Sequence, residues 1–216
     1  MSKSRAPSND VLLQQLRDGT AVFELQPPIS HSPTIIPFFA RIGPSLGKVS
    51  PAMKKVQRYS VQKVTGDGRC MFRALIKGMA HNKGISLGPG QERDDADELR
   101  MAVKEIICES DKDRLDYEEA LVAITVDESL KRYCQRIQWP DFFGGGESEL
   151  LVLSKLCHQP IIVYIPEHEH TGGTRSNSFI PIAEYGLEFS KASKQRKKRM
   201  PVKLLYSGNN HYDLLV

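Results

Sequence analysis

Cys70, His211 and Asp213 are the residues of this 216-residue chain whose types and spacing could do nucleophilic chemistry. Cysteine attacks a carbonyl as its thiolate, and its ordinary pKa leaves little of that form at neutral pH. The segment GDGRC, ending at Cys70, sets the thiol where a turn runs into the helix-forming stretch CMFRALIKGMA. Unpaired N–H groups at a helix N-terminus carry partial positive charge and favour a thiolate. The backbone N–H groups of Asp67, Gly68, Arg69 and Cys70 could also receive an oxyanion once the sulfur has added to a carbonyl. Taken alone, the segment is equally a strand-to-helix turn with an incidental cysteine, because Gly-Asp-Gly is common in turns.

Near the other end, NNHYDLLV places His211 and Asp213 two residues apart on an expected strand. Residues i and i+2 of a strand share a face. Asp213 is therefore expected to accept the Nδ1–H of His211 and leave Nε2 for the thiol, which is the nucleophile–base–orienter logic of hydrolytic triads. Tyr212 falls on the opposite, core-facing side. By itself the pair also reads as an exposed His and Asp near a strand end. Asp67 admits two roles, a direct part in proton movement or a turn-shaping one. The second is favoured, because a carboxylate aimed at an oxyanion would oppose the chemistry, whereas a carboxylate before a helix can cap it.

These residues need elements to hold them. RYSVQKV alternates enough for a short strand ahead of the turn. The helix after Cys70 is expected to bury Met71, Leu75, Ile76 and Met79. In DDADELRMAVKEIICES, Asp94 or Asp95 is expected to cap a helix whose stripe is Leu99, Val103, Ile106 and Ile107. DESLKRYCQRIQ is expected to be capped by Asp127, with Leu130, Tyr133, Cys134 and Ile137 inward. GGGESELLVLSKLC opens on glycines and becomes a buried helix. QPIIVYIP reads as a central strand, NSFIPIA as an edge strand because of Pro181, and PVKLLYSGNNHYDLLV as two strands joined by a turn.

GDGRCMFRAL, followed far downstream by LLYSGNNHYDLLV, resembles the ovarian-tumour (OTU) family of cysteine proteases. The family's Asp-Gly-x-Cys element matches Asp67, Gly68, Arg69 and Cys70, and its C-terminal His with a following acid matches His211 and Asp213. GGGESELLVLSKL resembles a third element, with Glu149 as its acid. The family often carries Trp before those glycines, whereas here Phe143 precedes them and Trp139 lies four residues earlier. The resemblance covers about Tyr59 to Val216 and is strongest to plant OTU proteins.

It implies a papain-like α/β fold with a small mixed sheet flanked by helices. It also implies deubiquitinase activity without a cofactor, on ubiquitin or polyubiquitin chains and ubiquitinated proteins. By the same resemblance Cys70 is the nucleophile, His211 the base, Asp213 its orienter and Asp67 part of the active-site turn, with Glu149 and Phe143 near the substrate. A ubiquitin-binding relative without turnover is the competing class, and the intact Cys70, His211 and Asp213 weigh against it.

The remaining features bound the reading. Seven of the 13 prolines lie between Pro7 and Pro51, so residues 1–58 read as an irregular extension with one short helix around Val11 to Arg17, and 59–216 as the catalytic domain. Asp10, Asp18 and Glu24 and the lack of an apolar stretch argue against a targeting leader. No run is apolar enough to span a bilayer. Four scattered cysteines do not make a disulfide framework, which points to a reducing intracellular compartment, cytoplasmic or nuclear. Cys108 and Cys134 read as core. Cys157, His158, His168 and His170 lack zinc-ligand spacing, so no metal is expected.

The basic run KASKQRKKR, Lys191 to Arg199, holds six positive charges, more than the net excess of +4. It fits an import signal or a solvated loop equally. No basic face interleaved with aromatics points to nucleic acid, and a monomer is expected. The acidic run QERDDADE, residues 91–98, reads first as a solvated helix start, and through the resemblance also as a contact for the basic tail of ubiquitin.

Overall fold

A computed structural model of the chain describes residues 56–139, 145–171, 177–191, 198–207 and 210–216. The extension up to residue 55, Phe143 and most of the basic run lie outside the described residues. Six strands form one mixed sheet: β1 (Gln57–Arg58), β2 (Val61–Gln62), β3 (Ile161–Pro166), β4 (Ser178–Tyr185), β5 (Val202–Ser207) and β6 (His211–Leu215), in the order β1-β4-β3-β5-β6-β2. Only β3 and β5 run parallel. Gln57 and Arg58, placed by sequence at the end of the extension, pair with Phe179 and Ser178 and so belong to the sheet.

The helices are α1 (Cys70–His81), α2 (Pro89–Lys104), a π-helical turn at Glu105–Glu109, α3 (Asp111–Arg114), α4 (Glu118–Asp127), α5 (Leu130–Arg136), α6 (Glu147–Leu156) and the short α7 (Glu167–Thr171). The α/β architecture is the expected one. Helix α1 packs across β5 and β6, α2 packs on α1, and α4 packs on α6. Gly78 makes the α1–sheet contact possible: a Cβ there would sit 2.4 Å from Val202 Cγ1. The main core joins Phe72 and Leu75 of α1 and Leu150 and Leu153 of α6 to Val163, Leu204, Tyr212 and Leu214 of the sheet. A smaller cluster gathers Tyr164, Phe179, Leu205 and Leu215 with Tyr59 and Val61. The strand period of two assigns Tyr212 and Leu214 to one face of β6, and His211, Asp213 and Leu215 to the other.

Several boundaries differ from expectation, each for a local reason. Helix α2 begins at Pro89, before Asp94 and Asp95, because proline at the first helical position has a pre-set φ and loses no hydrogen bond there. Ser129, not Asp127, caps α5, accepting from Arg132 N. Strand β4 is not outermost: β1 covers Ser178 and Phe179, and Pro181 sits on the stretch beyond, which no described strand covers. The stripe of α2, with Val103 buried, continues into the π-helical turn, where Ile107 is buried. That turn brings Cys108 against Cys134 of α5, and the two are joined as a disulfide with Cα atoms 5.7 Å apart. Each lies on an apolar stripe as expected, but the stripes meet sulfur to sulfur.

Candidate active site

The turn before α1 is built around Asp67. Gly68 takes φ +77°, a left-handed conformation that favours glycine. The Asp67 carboxylate accepts from Arg69 N at 3.2 Å, from Arg73 Nε at 3.2 Å and from Arg73 Nη2 at 2.6 Å. Burial pulls its pKa up, but the bonds and charges of Arg73 and Arg69 outweigh that and hold it below the ordinary value. Arg73 is itself buried and reaches Glu92 at 3.2 Å. Arg69 bridges Asp67, at 3.6 Å through Nη1, and Asp97, at 2.9 Å through Nε, and Asp97 also receives Arg100 at 3.0 Å. Asp67 therefore ties the turn to α1, the turn-shaping role favoured by sequence. The Arg69 N–H is already committed to Asp67, which corrects its inclusion among the free oxyanion donors.

Cys70 opens α1 and is only 3% exposed. Its sulfur donates to the Asn210 carbonyl at 3.7 Å, across 140 residues of sequence. Burial pushes the thiol above its ordinary pKa; the N–H groups of Tyr212, Met71 and Cys70 act the other way, and the Asp67 charge adds to the rise. The expected thiolate-favouring effect of the helix N-terminus is present, but desolvation outweighs it.

His211 follows Asn210 directly, at the start of β6. Its Nε2 lies 3.1 Å from Asp213 Oδ1. Its Nδ1 lies on the side of Gly66, where a Cβ would stand 3.5 Å from it. The expected nitrogen roles are thus exchanged: Nε2 meets the carboxylate, and Nδ1 is left toward the turn that carries Cys70.

Asp213 is fully buried. Besides His211 it accepts from Val64 N at 2.9 Å on Oδ1 and from Lys63 Nζ at 2.8 Å on Oδ2. Its burial raises the pKa, but Lys63, Val64 and His211 together bring it below the ordinary value. Sequence reasoning missed Lys63 and Val64. The signal lay in the strand pairing: Val61 opposes Leu215 and Gln62 opposes Leu214, so Lys63 comes next, opposite Asp213.

Glu149, expected near the substrate, is tied into its own helix. Glu149 is 2% exposed, and its carboxylate accepts from Gly146 N, Tyr133 Oη at 2.6 Å and Ser148 Oγ at 2.8 Å. It caps α6 from within, with its side chain buried. Phe143 lies outside the described residues. In the acidic run, Glu92 pairs with Arg73 and Asp97 with Arg69 and Arg100, while Asp94 and Asp95 meet Arg93 and Gln91. These acids at the start of α2 thus have partners within the chain. No group of His, Cys, Asp and Glu among the described residues could hold a metal ion.

The thiol of Cys70, at the start of α1, donates to the carbonyl of Asn210, the residue before His211, and His211 is paired with Asp213. The family model described as OTU-like cysteine protease matches residues 65–212, and the chain belongs to that family. It is 60% identical to the OVARIAN TUMOR DOMAIN-containing deubiquitinating enzyme 3 of Arabidopsis thaliana, over 98% of this chain and 98% of that one. It is 32% identical to deubiquitinating enzyme 4 of the same plant, over 79% of this chain and 47% of that one. Among solved structures it is similar to the viral OTU domain protease from Taggert virus, at TM-score 0.49 and 18% identity, over 73% of this chain and 79% of that one.

Proposed function

We propose that this chain is a deubiquitinase that hydrolyses isopeptide bonds at the C-terminal glycine of ubiquitin. The observation that carries the reading is the near full-length likeness to a plant deubiquitinating enzyme. The bond of Cys70 to the Asn210 carbonyl, one residue before the His211–Asp213 pair, supports it. Cys70 gives its proton to His211 Nδ1 and attacks the glycine carbonyl. The oxyanion is received by backbone N–H groups of Asp67, Gly68 and Cys70. The tetrahedral adduct collapses to a thioester, and His211 protonates the departing lysine amine. Water, deprotonated by His211, then attacks the thioester and returns Cys70 to its thiol. Asp213 holds the ring and supports its charge while the proton resides on it. No step calls for a cofactor. The protein acts as a monomer, inside the cell.

The test is ubiquitin carrying a C-terminal electrophile, with polyubiquitin cleavage run beside it. A covalent adduct on Cys70, together with cleavage that Cys70→Ala abolishes, is the expected result. A wild-type chain that binds ubiquitin, forms no adduct and cleaves no linkage would replace the enzyme with a binding protein.

A further inference from the structure

Asp213 is a buried carboxylate with two oxygens to satisfy. Oδ1 takes two donors, the Val64 N–H at 2.9 Å and His211 Nε2 at 3.1 Å. Oδ2 takes Lys63 Nζ at 2.8 Å. The Lys63 side chain is 81% exposed while that of Asp213 is 0% exposed, so the ammonium reaches Oδ2 from solvent and covers it. Without that donor, one oxygen of a charged, desolvated group would stand open, a costly arrangement that the carboxylate escapes by rotating or taking up a proton. Either response weakens the bond that holds His211.

The backbone sets this contact. Ser60 and Val216 exchange N–H···O bonds of 2.9 and 3.0 Å, and Val61 and Gln62 pair with Leu215 and Leu214. The next residue, Lys63, falls opposite Asp213 where the strand pairing gives way to side-chain bonds. Lys77 Nζ, from α1, donates to the Lys63 carbonyl at 3.2 Å.

We propose that Lys63 is a positioning residue, acting through Asp213 to hold His211 in its working orientation; this rests on the reading of Cys70, His211 and Asp213 as the catalytic groups. Among the described residues, no other charged group on the surrounding elements takes that place. From α1, Arg73 is committed to Asp67 and Glu92, Lys77 to the Lys63 carbonyl and Glu92, and Cys70 to the Asn210 carbonyl. From β5, the residue opposite Asp213 is Leu205. From β6 itself, only His211 contacts the carboxylate. The depressed pKa of Asp213, with Lys63 the largest favourable cause, agrees with the geometry.

The experiment compares wild type, Lys63→Met, Lys63→Arg and Cys70→Ala as full chains. It follows hydrolysis of a fluorogenic ubiquitin amide and alkylation of Cys70 by iodoacetamide, both across pH. Lys63→Met is expected to lower kcat/KM by about three- to tenfold, mainly in kcat, the exposure of the lysine limiting the effect. The acid limbs of hydrolysis and of alkylation should both move to higher pH. Lys63→Arg should restore them, since it keeps a donor and a charge. Added salt should move the acid limb of wild type but not of Lys63→Met, because an exposed ammonium is screened.

Profiles of Lys63→Met that overlay the wild type, or a Lys63→Arg variant as impaired as Lys63→Met, would overturn the proposal. If wild type and Cys70→Ala are equally inactive on the ubiquitin amide, the deubiquitinase reading has failed, and the alkylation profiles alone decide the role of Lys63.

Discussion

His211 meets Asp213 through Nε2, at 3.1 Å, and keeps Nδ1 on the side of the Cys70 turn. The carboxylate is thus both the partner of the ring and the partner of two groups outside it, Lys63 and Val64. The His211 ring and the segment after β2 are thus held by one buried side chain.

Asp213→Ala should therefore lose more than turnover. Removing the carboxylate leaves the buried Val64 N–H without its acceptor, at a cost of about 1–3 kcal/mol. Asp213→Asn should be milder in kcat, because an amide oxygen can still accept from Nε2. Steady-state kinetics paired with urea denaturation on both variants checks this. An Asp213→Ala chain with wild-type stability and wild-type kcat would remove Asp213 from the site.

Asp67→Ala should act through Arg73. That guanidinium is buried and would keep Glu92 as its remaining acid. Loss of Asp67 is expected to cost about 1–3 kcal/mol and to lower activity by loosening the turn before α1. Activity should return partly at low temperature, where the turn is better populated. An inactive Asp67→Ala chain of unchanged stability would instead give Asp67 a direct chemical role.

Stability should fall in acid through these same two carboxylates. Both have folded pKa values below the ordinary 3.8. Their contribution is complete above the unfolded value and is lost as pH drops through the folded one. Denaturation midpoints should therefore change little on account of Asp67 and Asp213 down to about pH 4–5, then decline. Asp67→Asn should flatten part of that decline. An identical acid profile in the variant would mean that the Arg73 pairing does not form in solution.

The Cys108–Cys134 bond offers a separate check. Its cysteines are 26 residues apart, and a loop of that length implies stabilisation of roughly 3 kcal/mol when closed. Oxidised protein should count two free thiols, Cys70 and Cys157, among its four cysteines, and reduction should lower its thermal midpoint. Inside a reducing compartment the same pair would be a dithiol. Four free thiols after purification without reductant would show that the pair does not close.

Much of this was legible in the residues themselves. The Cys70 turn, the β5–β6 pair, the central β3 and the shared face of His211 and Asp213 follow from local spacing. What local spacing could not supply was anything set by residues distant in sequence. Lys63 reaches Asp213 only because β2 adds to the outside of β6 in one register. Cys108 finds Cys134 only because a π-helical turn redirects the end of α2. Glu149 was placed near the substrate by resemblance alone, and local spacing gave no sign that Tyr133 and Ser148, which donate to its carboxylate, would enclose it. The ring nitrogens were exchanged for a similar reason: strand periodicity sets the face of His211, but not the rotamer that the turn at Gly66 leaves open to it.

Cys70 and the carbonyl that receives its S–H stand 140 residues apart, with nearly every described element between them. Such a contact has a high loop-closure cost and forms only once the intervening chain has folded. A chain that keeps α1 but lacks β6 therefore carries the Cys70 thiol without Asn210, His211 and Asp213, and assembly of this site waits on the fold as a whole.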